Sequence, residues 1–148
     1  MKVSVGYPSE GTEIAVVRGA AAGVSPDGLA AVTDTQVVGQ LVGLVRRVHV
    51  AEALVAYAVR LAAATRGHPR VRVGVSPRGV IALTRAASAW ALAEGRGYVV
   101  PEDIKALVEP VYAHRLVLSP DAQVRGVTAT EIIAEVVQTV PVPTPVDP

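Results

Sequence analysis

The chain has no cysteine and no phenylalanine, and Trp90 is its single tryptophan. Without Cys there is no disulfide framework, no thiolate zinc site and no cysteine nucleophile, which fits a reducing compartment. Without Phe the core must be built from Ala, Val, Leu and Ile. Long apolar runs are missing too, despite a mean hydropathy of +0.41. The longest uncharged stretches, Thr35 to Val45 and Val136 to Val146, are about eleven residues each, whereas a spanning helix needs roughly 20. No basic segment followed by an apolar one opens the chain, so no secretory leader is expected. A cytoplasmic protein without a membrane span is the expectation. What remains is 148 residues, 51% hydrophobic and 18% charged. That is enough for one packed domain and too apolar for a disordered chain.

Acid is also missing where base is concentrated. Residues 53–93 hold Arg60, Arg66, Arg70, Arg72, Arg78 and Arg85 and not one Asp or Glu. Residues 94–148 carry eight acids against four bases. Either the acidic third folds back on the basic stretch, or the stretch meets an anion or an acidic partner.

Local signals place the elements. Residues 1–7 alternate weakly and predict a short strand. Ser9 is placed to cap a helix running to about Gly23, with Glu10 and Glu13 in its first turn. Pro26-Asp27-Gly28 marks a linker over 24–32. Thr33 or Asp34 caps a second helix, about 35–48, with Val37, Val38, Leu41, Leu44, Val45 and Val48 at helical spacing. A third helix spans about 51–66, with Leu54, Ala58, Leu61 and Ala62 on one face. Val71–Val75 reads as extended or loop. Ser76-Pro77 opens an Ala-rich fourth helix that Gly95 and Gly97 stop. Pro101-Glu102-Asp103 starts a fifth, to about Leu116, with a kink at Pro110. A loop covers 118–127. Thr128 and Glu131 form a capping box before Ile132, Ile133, Val136 and Val137. The Pro-rich tail, 141–148, reads as a linker stub. The sum is an all-α bundle of about five packed helices, preceded by a strand and a helix foreign to it. A lone strand is not stable by itself, so the chain reads as a piece of a larger protein.

No phosphate-cradling Gly-rich loop, dinucleotide fingerprint, nucleophile elbow or His-Glu-x-x-His pair is present. His49, His68 and His114 lack ligand spacing and read as structural or surface residues. Glu131 and Glu135 share a helix face and read as a solvated pair; Glu102 and Asp103 read as helix-start acids. Only Tyr57 and Trp90 interleave the basic stretch, thin support for stacking nucleic acid. Gly74-Val75-Ser76-Pro77-Arg78 is more informative. An arginine in the first turn faces the positive end of the helix dipole, at a cost of roughly 0.3–1 kcal/mol when exposed. A helix N-terminus plus an arginine suits an anion, phosphate above all; an ordinary surface role is the other reading.

Gly74-Val-Ser-Pro-Arg-Gly79 follows His49-Val-Ala-Glu-Ala-Leu54. It precedes Tyr98-Val-Val-Pro-Glu-Asp-Ile-Lys-Ala-Leu107 and His114-Arg-Leu-Val-Leu-Ser-Pro120. In this order the segments resemble the C-terminal part of MoxR-family AAA+ ATPases. Gly6-Tyr7-Pro8-Ser9 resembles the segment that closes the family's ATPase core. The resemblance covers nearly the whole chain. Val75 and Gly79 depart from it, standing where the family more often has small Ala-like residues.

The resemblance implies the following. Residues 1–23 would be the last strand and helix of an AAA+ core, 24–32 a linker, 33–140 the helical lid and 141–148 a tail. Ser76, Pro77 and Arg78 would be the sensor 2 motif, binding ATP with its Mg, and Arg78 would act in hydrolysis. The phosphate-binding loop, the metal-binding acid and the arginine finger would lie upstream, so this chain alone is expected to be inactive and to hold no nucleotide. Arg72 or Arg85 would add to the local field. The whole protein would be a homo-hexameric, chaperone-like ATPase working with its own AAA+ core and with von Willebrand factor A-type proteins. The rival is a non-enzymatic helical domain docking an acidic partner or nucleic acid.

Overall fold

Seven α-helices and one two-stranded sheet make up residues 1–143, the residues described by a computed structural model. The helices are α1 (Glu10–Ala21), α2 (Thr35–Val45), α3 (Glu52–Gly67), α4 (Pro77–Ala93), α5 (Pro101–Tyr112), α6 (Pro120–Val124) and α7 (Ala129–Thr139). Strand β1 (Val71–Val73) pairs antiparallel with β2 (Val117–Leu118), Val71 opposite Leu118. The part of the Pro-rich tail from residue 144 onward lies outside the described residues.

The chain divides into two compact units. One is Val3–Leu41. The Ser9 hydroxyl caps α1 by accepting the Thr12 N–H, and the Asp34 carboxylate accepts the Val37 N–H at 2.8 Å at the start of α2. Neither helix buries a residue. The strand expected over 1–7 does not form: residues 1–9 have no regular structure and are exposed. A strand needs a neighbour along its length to satisfy its backbone, and among the described residues this segment makes one backbone bond to another element, from the Lys2 N–H to the Pro110 carbonyl at 2.7 Å. Helix α2 ends at Val45, before the expected limit. Of its predicted stripe, Val37, Val38, Leu41 and Leu44 are exposed and only Val48, beyond the helix, is buried.

The other unit is Val42 onward with Met1 and Lys2. Here the apolar faces of α3, α4, α5 and α7 close on one core containing Leu61, Leu83, Ile104 and Ile132, each fully buried. Leu54, Ala58, Leu61 and Ala62 are buried as their spacing predicts. Thr128 and Glu131 form the predicted capping box of α7, exchanging bonds of 3.2 and 2.8 Å. Gly95, at φ +74°, ends α4. Two elements lie where a loop was expected. Strand β2 takes its identity from β1 across the sheet, and α6 from the Ser119 hydroxyl that accepts the Ala122 N–H. Helix α5 is shorter than expected. Pro110 donates no N–H to the preceding turn, and the helix gives way at Ala113 to a single 3₁₀ turn, Ala113–Arg115.

Two fully buried tyrosines meet different ends. The Tyr112 hydroxyl donates to the Ala58 carbonyl at 3.1 Å; the Tyr57 hydroxyl has no partner among the described residues. Burial pushes both phenols above their ordinary pKa. A buried hydrogen bond contributes about 0.5–1.5 kcal/mol net, while removing an orphaned polar atom relieves its desolvation. Tyr112→Phe is therefore expected to lower the urea midpoint, and Tyr57→Phe to leave it unchanged or raise it. Equal losses in the two variants would contradict this account.

Among the described residues no helix is long and apolar enough to cross a membrane.

Candidate functional site

The loop between β1 and α4 is held by the last turn of α3. The Val75 N–H donates to the Thr65 hydroxyl at 3.0 Å, and the Arg66 guanidinium donates to the Val75 carbonyl at 2.6 Å. Thr65 is wholly buried and its hydroxyl donates in turn to the Ala62 carbonyl at 2.6 Å. Gly74 runs hard against α3. A Cβ there would stand 2.7 Å from the Arg66 Cα and backbone N.

Ser76 occupies the N-cap position of α4 and Pro77 the first helical residue, where its fixed φ suits the helix. The Ser76 side chain makes no capping bond; its carbonyl accepts the Gly79 N–H at 2.8 Å. Arg78 sits in the first turn, and Ser76, Pro77 and Arg78 are all exposed. Gly79 is buried, and its missing side chain is a packing requirement. A Cβ there would stand 2.4 Å from a methyl of Val75 and 3.3 Å from the Arg115 side chain.

Arg115, like Thr65 and Arg66, is a residue of the site that sequence reasoning missed. It follows α5 in the chain, and its side chain lies beside Gly79 at the start of α4. The guanidinium donates to the Val111 carbonyl at 2.7 Å and to His114 Nε2. An arginine only donates, so as a hydrogen bond this contact needs an unprotonated His114 Nε2. Burial, and then the Arg115 charge, hold the His114 pKa below its ordinary value. No spacing rule links residue 115 to residue 79; only the packing of α5 on α4 does.

Arg66 and Arg115 thus border residues 74–79, which themselves carry Arg78, giving three arginines at the segment. Among the described residues none of the three pairs with a carboxylate. Of the six arginines of the acid-free stretch, only Arg70 is neutralised by an acid of the C-terminal third among the described residues, through Glu135 on α7. Glu135 also lies 3.4 Å from His68, and the Arg70 bond holds its carboxyl below the ordinary range. Arg85 is exposed two turns along α4 from Arg78, and Arg72 is exposed on β1. Unpaired cations at the positive end of a 17-residue helix repel one another and the helix dipole; an anion relieves both. A phosphate group is chemically suited to this donor set.

Comparison with known proteins gives the family. Residues 63–136, which hold the α3–α4 clamp, Arg78 and Arg115, match the family model described as AAA lid domain. The chain is 42% identical over 99 residues to the protein YeaC of Bacillus subtilis, covering 67% of this chain and 31% of that protein. It is 34% identical over 151 aligned positions to Chaperone MoxR1 of Mycobacterium tuberculosis, covering 96% of this chain and 40% of that protein. The crystal structure of a candidate ATPase from Cytophaga hutchinsonii superposes with a TM-score of 0.83 at 26% identity, covering 97% of this chain and 46% of that one. The chain therefore spans less than half the length of these relatives.

Proposed function

The chain belongs to the AAA lid domain family, in the form carried by the C-terminal part of MoxR-family AAA+ ATPases, and on that premise we propose that it closes over a nucleotide with Arg78 as its phosphate-sensing cation. The observation that carries this reading is the exposed, unpaired Arg78 in the first turn of α4, bordered by two further arginines that no carboxylate neutralises among the described residues. Membership of the family implies nucleotide binding. The sensor 2 assignment of Ser76, Pro77 and Arg78, and ATP with Mg as the ligand, are our reading.

In that reading ATP supplies the scissile phosphoanhydride, and catalysis is positioning plus charge stabilisation. Arg78 places positive charge where negative charge builds on the phosphoryl oxygens. Arg115, whose side chain lies beside Gly79, keeps the field positive at the same helix end. Residues 1–23 would complete the ATPase core and 24–32 link it to the lid over 33–140. Oligomeric assembly as a hexamer, cytoplasmic work as a chaperone and partnership with von Willebrand factor A-type proteins extend the same reading. Support for the chaperone role is the name of the Mycobacterium tuberculosis relative.

The test is Arg78→Ala in the ATPase that carries this lid on its nucleotide-binding core. A hydrogen bond to a charged group is worth roughly 1.5–3 kcal/mol, so turnover is expected to fall about 10- to 150-fold. Stability should stay within about 0.5 kcal/mol, as for most exposed substitutions. Turnover and melting temperature are measured together. Unchanged turnover, or a stability loss large enough to explain the lost turnover, returns Arg78 to an ordinary surface role. Arg60, Arg72 and Arg85 are exposed and meet no carboxylate among the described residues, which also suits a non-enzymatic helical domain docking an acidic partner or nucleic acid. Nucleic-acid binding of that kind would weaken steeply with salt and would leave turnover indifferent to Arg78.

A further inference from the structure

We propose that Thr65 and Arg66 are positioning residues: the last turn of α3 grips both backbone groups of Val75 and so fixes where α4 begins and how its first-turn Arg78 is presented. This rests on the reading of Arg78 given above and extends it to residues that touch no ligand.

Arg78 cannot set its own aim. It is exposed and no side chain holds it among the described residues, so its reach is set by the backbone from which it springs. The usual device for fixing a helix start is a side-chain cap, and this chain uses it at α1 with Ser9, at α6 with Ser119 and at α7 with Thr128. At α4 the Ser76 side chain makes no such bond. The α3 clamp takes its place. Thr65 accepts the Val75 N–H, Arg66 donates to the Val75 carbonyl, and the wholly buried Val75 side chain fills the space that Gly79 leaves open. Residue 75 is thereby fixed at its nitrogen, its oxygen and its side chain, one residue before the N-cap and three before Arg78. Gly74 lets the two backbones come close enough for these bonds.

The Thr65 hydroxyl has two jobs, and they separate. Its bond to the Ala62 carbonyl is an ordinary local contact of a helical threonine. Its acceptance of an N–H ten residues away serves nothing within α3; it serves the loop that launches α4. The same holds for Arg66, whose guanidinium turns back to a carbonyl and meets no carboxylate among the described residues.

The experiment is a double-mutant cycle in the ATPase that carries this lid, reading kcat and melting temperature. Thr65→Val removes the acceptor and keeps the shape; Thr65→Ser keeps the acceptor. A displacement of order 1 Å at a positioned group costs up to about 100-fold. Thr65→Val is expected to lower kcat about 10- to 100-fold, and Thr65→Ser to stay close to wild type. In an Arg78→Ala background, Thr65→Val should lower kcat little further, because the group it positions is gone. A purely structural threonine would instead multiply with Arg78→Ala. That result, or an undiminished kcat in Thr65→Val while Arg78→Ala is impaired, overturns the proposal and leaves the Arg78 reading standing. An unimpaired Arg78→Ala overturns both. If Thr65→Val does not fold, Arg66→Lys runs the same cycle: it keeps the charge and loses the guanidinium bond to Val75, and multiplication with Arg78→Ala again overturns the proposal.

Discussion

Asp103→Asn is expected to lower the stability of the helical unit by roughly 2–3 kcal/mol at neutral pH. Asp103 is 3% exposed, and both its oxygens are engaged. They take a forked pair of bonds from the Arg96 guanidinium at 2.6 and 2.8 Å, and one of them also takes the Val100 N–H at 2.9 Å. Arg96 reaches the Tyr98 carbonyl as well. The one carboxylate thus caps α5 and folds the connection from α4 onto it. An amide presents one acceptor where the ionised group presents two, so either the fork or the cap is lost while the site stays buried. Burial raises the Asp103 pKa, but the Arg96 and Val100 bonds outweigh it, and the net direction is downward. A carboxylate whose folded pKa lies below its unfolded value adds stability above the unfolded value and loses it as pH falls through the folded one. The difference between wild type and Asp103→Asn should therefore be constant from about pH 5 to 7 and shrink below about pH 4. Urea midpoints across that range test it. A difference that persists unchanged down to about pH 2, below the ordinary carboxylate range, would mean that charge is not what Asp103 contributes.

This carboxylate also marks how far the sequence could be read. Asp103 was legible as a helix-start acid, because position relative to Pro101 is a local property. Its ion pair was not, because Arg96 reaches it only once the turn between the two helices is made. The same division runs through the molecule. The helices that pack on one another, α3, α4, α5 and α7, announced themselves by apolar spacing and caps. Helix α6 and strand β2 did not. One is five residues long and the other two, too short for a period to show, and β2 exists only as the partner of β1. The strand read over residues 1–7 had the right alternation and no neighbour to pair with. At the site, Ser76, Pro77 and Arg78 could be placed from the helix start alone. Thr65, Arg66 and Arg115 could not, since each meets the segment through tertiary packing.

Gly74 and Gly79 bracket that segment, and replacing each by alanine should have sharply different consequences. At Gly74 the new methyl carbon would stand 2.7 Å from the Cα, N and Cγ of Arg66. Two of those atoms are backbone inside α3, which cannot yield without moving the helix. Overpacking of a tight contact costs typically about 1–3 kcal/mol and occasionally more, and here the displaced backbone also carries the Val75 bonds. We expect Gly74→Ala to lose about 3 kcal/mol or more and to lower turnover of the whole ATPase beyond what the lost stability explains. At Gly79 the new carbon would stand 2.4 Å from a Val75 methyl, a side-chain atom that a second substitution can remove. Gly79→Ala alone should cost about 1–3 kcal/mol of strain, less the roughly 1 kcal/mol by which a helix prefers Ala to Gly. Val75→Ala alone should leave a cavity under the first turn. When the two are combined, the methyl added at position 79 enters the space that the Val75 methyl vacates, so the double variant should lose clearly less than the sum of the two. Gly74→Ala has no such partner, and Val75→Ala should not rescue it. Urea midpoints of the three single variants and the two double variants decide the matter: strict additivity at 75 and 79, or rescue of Gly74→Ala by Val75→Ala, would show that the segment is held in some other way.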